Sequence, residues 1–323
     1  MISLRPGDKI GDWVVEGRLG EGAMAAVYRC RHGMSQRMTA AVKLFRPDSE
    51  VDQEKWFTRE VEALAALHHP NIVRILHPGE DPQRGVYYLA MELVEGETLR
   101  SRLTSGPLSP DEARACFAAM ADAMAEAHRA QIYHRDLKPS NVVIRADGTP
   151  VILDFGIATA SDPTQRTMTA VGTPTYMAPE LFEEGKVDPA RADIYSLGVM
   201  LHEALTGKRA FGGATQMGSE ERIAWVIRQK IQMDALDPGE NAGAPLRELV
   251  RTITARDPGR RPGTMTELAR ALREPGTLTL APPRRRPKAR RQELWMWVGG
   301  ALLISLVAAG IAGFVAWSWV TGG

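Results

Sequence analysis

The chain has 323 residues, 44% of them hydrophobic, which suits one large globular domain or two small ones with a sizeable core. A net charge of +1 excludes whole-molecule attraction to nucleic acid, although six positive charges crowd into RRRPKARR (284–291) and leave about −5 on the rest. The only cysteines, Cys30 and Cys116, exclude a disulfide framework and a cysteine metal site, and they suit a reducing compartment.

The N-terminal run MISLRPGDKIGDW has no apolar core, so no secretory leader is expected. The stretches DWVVEGRL, AAVYRC, AAVKLF and VYYLAMELV read as strands. Between the first two lies LGEGAMAAVY (19–28). Gly20 and Gly22 fit the first two positions of G-x-G-x-x-G, but Ala25 takes the third. By itself this loop reads equally as a tight turn. Residues 52–67 read as a helix with Phe57, Val61 and Leu64 on one face. Glu60 lies on or beside that face, and a carboxylate turned toward a core needs a cationic partner. His68 and His69 are adjacent, but no cysteine or carboxylate cluster accompanies them, so they read as loop packing.

After GPLSPDEA the character changes. Ser109, Pro110 and Glu112 form a capping-box start for an Ala- and Met-rich helix reaching about Ala130. NVVIR and PVIL read as short strands joined by ADGT, whose Asp-Gly signals a hairpin. DIYSLGVMLHEALTG is apolar on nearly every face and reads as a buried helix ending at Gly207. The rest to about Leu272 is mostly helical. Strands first and helices afterwards argue for an α+β chain with two lobes. Residues 273–293 form a Pro- and Arg-rich linker.

From Leu294 to Val320 no residue is charged, and about 20 apolar residues suffice to span a bilayer. Trp297 and Trp317 are 20 positions apart, about 30 Å along a helix, which sets indoles at both interfaces. A transmembrane helix is therefore expected over 294–320. The basic run Arg284–Arg291 keeps the preceding part cytoplasmic and attracts anionic lipid. Only Thr321, Gly322 and Gly323 follow, so no sensor domain is expected on the far side. Small residues at Ala308, Ala312 and Ala316, and at Ala309 and Gly313, admit a homodimer through the span, though an alanine-rich helix produces such stripes by coincidence.

The strongest chemical signal is HRDLKPSN (134–141). Phosphoryl transfer needs a carboxylate to orient the attacking hydroxyl and accept its proton, a cation on the moving phosphate, and an oxygen ligand for Mg²⁺. Asp136, Lys138 and Asn141 supply that set within six residues. Thirteen residues further on, DFG (154–156) adds Asp154 as a second metal-binding carboxylate.

With these motifs in order, residues 12–272 resemble a eukaryotic-like serine/threonine protein kinase of the bacterial type. The resemblance implies a two-lobed fold, with a small β-rich N-lobe and a larger helical C-lobe, followed by the single transmembrane helix. It implies ATP and Mg²⁺ as cofactors, with Mn²⁺ as a substitute, and protein substrates. Lys43 corresponds to the lysine on the α- and β-phosphates, and Glu60 to its helix partner. Leu19, Gly20, Glu21, Gly22, Ala23 and Met24 form the loop over the nucleotide, and Val27 caps the adenine. Met91 is the gatekeeper, with Glu92 and Val94 as the hinge. Asp136 and Lys138 are catalytic, and Asn141 and Asp154 hold the metal. In GTPTYMAPE, Glu180 is expected to pair with Arg261, and Asp193 to brace the catalytic loop. Lys138 and Thr173 favour Ser/Thr over Tyr substrates. Arg135 points to activation-loop autophosphorylation at Thr167 or Thr169, or else Thr164. The implied localisation is a bacterial inner membrane with the kinase domain cytoplasmic and the C-terminus outside. A pseudokinase scaffold is the competing class; it would normally lack Lys43, Asp136 or Asp154.

Overall fold

Alternation of apolar and polar residues in the first third of the chain builds an antiparallel sheet of six strands. These are β1 (Lys9–Ile10), β2 (Trp13–Glu21), β3 (Ala25–His32), β4 (Ser35–Phe45), β5 (Ile75–Asp81) and β6 (Val86–Glu92), in the order β1-β2-β3-β4-β6-β5. The computed structural model describes residues 3–21, 25–45, 61, 64–155, 174–183, 185–213 and 217–274. Gly22, Ala23, Met24, Glu60, Thr164, Thr167, Thr169, Thr173, most of the 273–293 linker and the expected span 294–320 lie outside them.

One face of the sheet buries Trp13, Val15, Tyr28, Cys30, Val42, Tyr88 and Ala90 in a core of its own. The other face sends Ala41, Phe45, Leu89 and Met91 into the main core. Strand β6 is buried on both faces because Tyr88 and Ala90 enter one core while Leu89 and Met91 enter the other, which explains its unbroken apolar run. Strand β5 contains Pro78 and Gly79 and does not read as a strand from sequence. It lies at the sheet edge, where a proline removes no needed ladder bond.

The second sheet is small: β7 (Glu97–Thr98), β8 (Val142–Ile144) and β9 (Pro150–Ile152) pair in that order. The β8–β9 turn is the expected Asp-Gly hairpin, with Gly148 at φ 83° and the Asp147 carboxylate accepting from the Thr149 amide. Residues 71–73 stitch to β9. The Ile152 amide donates to the Asn71 carbonyl, the Val73 amide to the Ile152 carbonyl, and the Asn71 side chain to the Pro150 carbonyl at 2.6 Å.

The helices are α1 (Leu99–Arg102) and α2 (Pro110–Arg129), which pack against this sheet, then α3 (Pro189–Thr206), α4 (Ser219–Gln232), α5 (Ala244–Ile253) and α6 (Met265–Arg273). The α2 capping box forms as expected: Ser109 Oγ accepts from the Glu112 amide, and Glu112 Oε2 accepts from the Ser109 amide at 2.9 Å. Helix α3 buries every residue from Ala192 to Ala204 and stops at Gly207, whose φ of 66° makes it a left-handed cap. It starts earlier than its apolar run suggests, because Asp188 caps it and Pro189 occupies its first turn. Cys30 and Cys116 are free thiols, both pushed up to about 12 by burial, so neither is primed for reaction. Among the described residues no helix is long and apolar enough to cross a membrane.

Candidate active site

Past the end of α2 the chain enters the loop His134–Asn141, and buried Asp193 on α3 holds its start. One Asp193 carboxylate accepts from the His134 and Arg135 amides, each at 2.9 Å, and from His128 Nε2, also at 2.9 Å. The bracing expected of Asp193 is therefore present. It offsets a local cost, since Arg135 sits at φ 62°, a left-handed conformation unfavourable by about 1–2 kcal/mol for a residue with a Cβ.

His134 is fully enclosed. Its Nε2 donates to the Leu153 carbonyl at 2.8 Å, which leaves Nδ1 as the acceptor for the Asp136 amide at 3.3 Å. Its ring lies 4.8 Å from that of Phe155. One neutral imidazole thus ties the 134–141 loop to the segment carrying Asp154. Burial lowers the pKa of His134, and also that of His202, below the ordinary histidine value. The unfolded chain then binds more protons than the folded chain below about pH 6.5, and stability falls as the pH drops through that value. Unfolding just below about pH 6.5 is expected to be accompanied by proton uptake at these histidines; calorimetry in two buffers of different ionisation heat measures this, and no uptake would contradict it.

The expected catalytic groups converge. Lys138 Nζ donates to Asp136 Oδ2 at 2.6 Å, and the Asn141 amide nitrogen donates to the Asp136 carbonyl at 2.9 Å and to Oδ2 at 3.3 Å. The Leu153 amide donates to the Asn141 carbonyl at 2.8 Å, which ties the loop to the approach to Asp154. Asp154 has φ 53°, and its Oδ1 lies 3.1 Å from Lys43 Nζ, carried in from β4. Beside this pair, Leu64, Ile72, Val73, Ile75, Leu89 and Met91 wall an apolar recess. Met91 is buried, while Glu92 closes β6 with its amide bonded to the Arg74 carbonyl and its carboxylate 2.7 Å from Arg145. Val94 is half-buried just beyond β6.

Gly20 lies in β2 opposite Val27 of β3, and Leu19 is exposed. Ala25 opens β3 opposite Phe45, and among the described residues only Gln131, Arg135 and Asp154 combine a side chain with positive φ. The substitution at the third glycine position therefore carries no left-handed strain. His68 Nδ1 bonds to the Ala66 carbonyl and His69 Nδ1 accepts from the Asn71 amide, as loop packing predicts.

Glu180 and Arg261 form the expected pair, bidentate at 2.7 and 2.9 Å with the Arg261 side chain wholly buried. A second network is absent from the sequence reading. Arg100 of α1 binds Glu203 of α3 and the Tyr176 hydroxyl, and that hydroxyl donates to Glu203. A signal for it existed: Glu203 interrupts the apolar run of α3, and a buried carboxylate requires partners.

An antiparallel sheet above a helical region, with a lysine–aspartate pair beside a braced Asp-x-Lys loop, defines the protein kinase class. The chain belongs to the protein kinase domain family, which matches residues 13–272. It is 36% identical over 255 residues to serine/threonine-protein kinase PrkC of Bacillus subtilis, 35% over 258 residues to PknL of Mycobacterium tuberculosis, and 35% over 262 residues to PknB of the same species. Each match covers 77% of this chain but only 38%, 62% and 40% of those relatives, respectively. The domain is thus of the bacterial serine/threonine kinase type, and the match does not extend to the rest of those longer chains.

Proposed function

We propose that the chain is a membrane-anchored protein serine/threonine kinase that transfers the γ-phosphoryl group of ATP to protein hydroxyls. The observation that carries this reading is the convergence of Lys138 and Asn141 on one half-exposed Asp136 carboxylate, next to the Lys43–Asp154 pair. Asp136 orients the incoming hydroxyl and accepts its proton. Lys138, held against the same carboxylate, faces the negative charge that builds on the transferring group. Lys43 holds the nucleotide phosphates, and the strands around Gly20 and Val27 cover them. Met91, Glu92 and Val94 border the base.

The donor set fits a hard divalent cation. The Asn141 amide nitrogen is committed to Asp136, which leaves Oδ1 as a neutral oxygen ligand, and Asp154 retains Oδ2 beside its Lys43 contact. Mg²⁺ bound there, or Mn²⁺ in its place, supplies charge neutralisation on the phosphates. Arg135, fixed by Asp193, is the docking cation for a phosphorylated Thr167, Thr169 or Thr164. The uncharged run 294–320 anchors the chain in a bacterial inner membrane, and Arg284–Arg291 rests on anionic lipid.

The test is incubation of the full chain, in detergent micelles, with γ-labelled ATP, Mg²⁺ and a generic basic protein. Label is expected on serine or threonine of the acceptor, and on the chain itself between residues 157 and 173. In cells the chain is expected to stay with membranes through alkaline extraction. A folded, nucleotide-binding chain that labels nothing would replace this reading with the pseudokinase one.

A further inference from the structure

Lys230, in the last turn of α4, is only 2% exposed. Its Nζ donates to the Met177 carbonyl at 2.7 Å and lies 3.5 Å from the Tyr195 hydroxyl. The rings of Tyr195 and Phe211 stand 4.7 and 4.5 Å from the same nitrogen, and Arg261 lies 4.8 Å from the Tyr195 ring. Desolvation drives the Lys230 pKa well below the ordinary lysine value; the Arg261 charge adds to this and Glu180 opposes it. An apolar side chain of similar length would fill this space without desolvating an amine. What the amine adds is its hydrogen bond to Met177.

That bond lies at a consequential place. Pro174, Thr175, Tyr176 and Ala178 are buried, and Met177 alone among residues 174–178 is partly exposed. The Tyr176 carbonyl accepts from Ser196 Oγ at 2.9 Å. Ser196 stands three residues after Asp193 on α3, so the helix that braces the Asp136 loop also holds this segment. Lys230 holds the very next carbonyl from a different helix.

We propose that Lys230 is a positioning residue for the polypeptide acceptor: by fixing the Met177 carbonyl it orients the one partly exposed side chain of segment 174–178, which is held by the same helix that braces the catalytic loop. This rests on the kinase reading above and goes beyond it, because it separates acceptor binding from nucleotide binding. The substitution Lys230→Met keeps the stem and removes the donor, while Lys230→Gln keeps an N–H donor on a shorter stem.

In the full chain, Lys230→Met is expected to raise KM for a serine/threonine peptide about tenfold, with KM for ATP and acceptor-independent ATP hydrolysis changed less than about twofold. Lys230→Gln is expected to recover part of the loss. Hydrogen exchange should quicken at 174–178 in Lys230→Met and stay unchanged in α3. If Lys230→Met does not fold, the same KM comparison on Lys230→Gln decides, with a smaller split expected. An active unaltered chain whose variants show no split, or raise both KM values alike, overturns this inference alone. An unaltered chain that transfers no phosphate overturns the kinase reading, and this inference with it.

Discussion

Asp136→Asn is expected to lower phosphotransfer by about a thousandfold or more while leaving thermal unfolding within about 2 °C of the parent. The size follows from what the carboxylate does. It is the group that takes the hydroxyl proton, and an amide cannot accept it. The substitution is otherwise isosteric: the amide keeps one oxygen that can accept from both Lys138 and Asn141, as Oδ2 does. The fold is spared because the Asp136 side chain is 37% exposed and its carbonyl still accepts from Asn141. Single-turnover kinetics with saturating ATP, alongside a melting curve, measure both halves. Retained activity in the purified variant would remove Asp136 from the role of base.

The second large effect is on stability. Arg261→Ala is expected to destabilise the domain by about 4 kcal/mol, a fall in Tm of roughly 10 °C. The guanidinium is wholly buried, forms the bidentate pair with Glu180, and also donates to the carbonyls of Ala255, Arg191 and Arg256. Its removal strands a nearly buried carboxylate and three acceptors together, and a broken buried pair costs more than a missing one. Replacing both partners, as Glu180→Leu with Arg261→Met, should cost less than the single change. Denaturant melts of the three proteins decide; a single variant within 1 kcal/mol of the parent would show that solvent reaches Glu180 freely.

The parts legible from sequence were those in which chemistry or backbone geometry compresses into a few adjacent residues. HRDLKPSN carries a whole catalytic set, and Ser109 with Glu112 announces a helix start. Strand periodicity likewise marked β2, β3, β4 and β6. Strand β5 was hidden because Pro78 and Gly79 speak against a strand everywhere except at an edge, and edges are a property of the finished sheet. Lys230 was hidden for a different reason. Lysine is ordinarily exposed, so nothing in IRQKIQ signals that the amine points at a carbonyl 53 residues earlier. Arg100, Tyr176 and Glu203 meet across separations of 27 to 103 residues, and only the buried carboxylate among them left a trace in the local pattern.

Helix α3 offers Asp193 to the Asp136 loop, Ser196 to segment 174–178, and Glu203 to Arg100 and Tyr176. These parts come from three stretches of chain, yet none can open to solvent without breaking a bond to the same buried helix. Opening of the catalytic loop or of segment 174–178 therefore carries the added cost of a bond to α3, and loss of Asp193, Ser196 or Glu203 loosens the segment that each side chain holds.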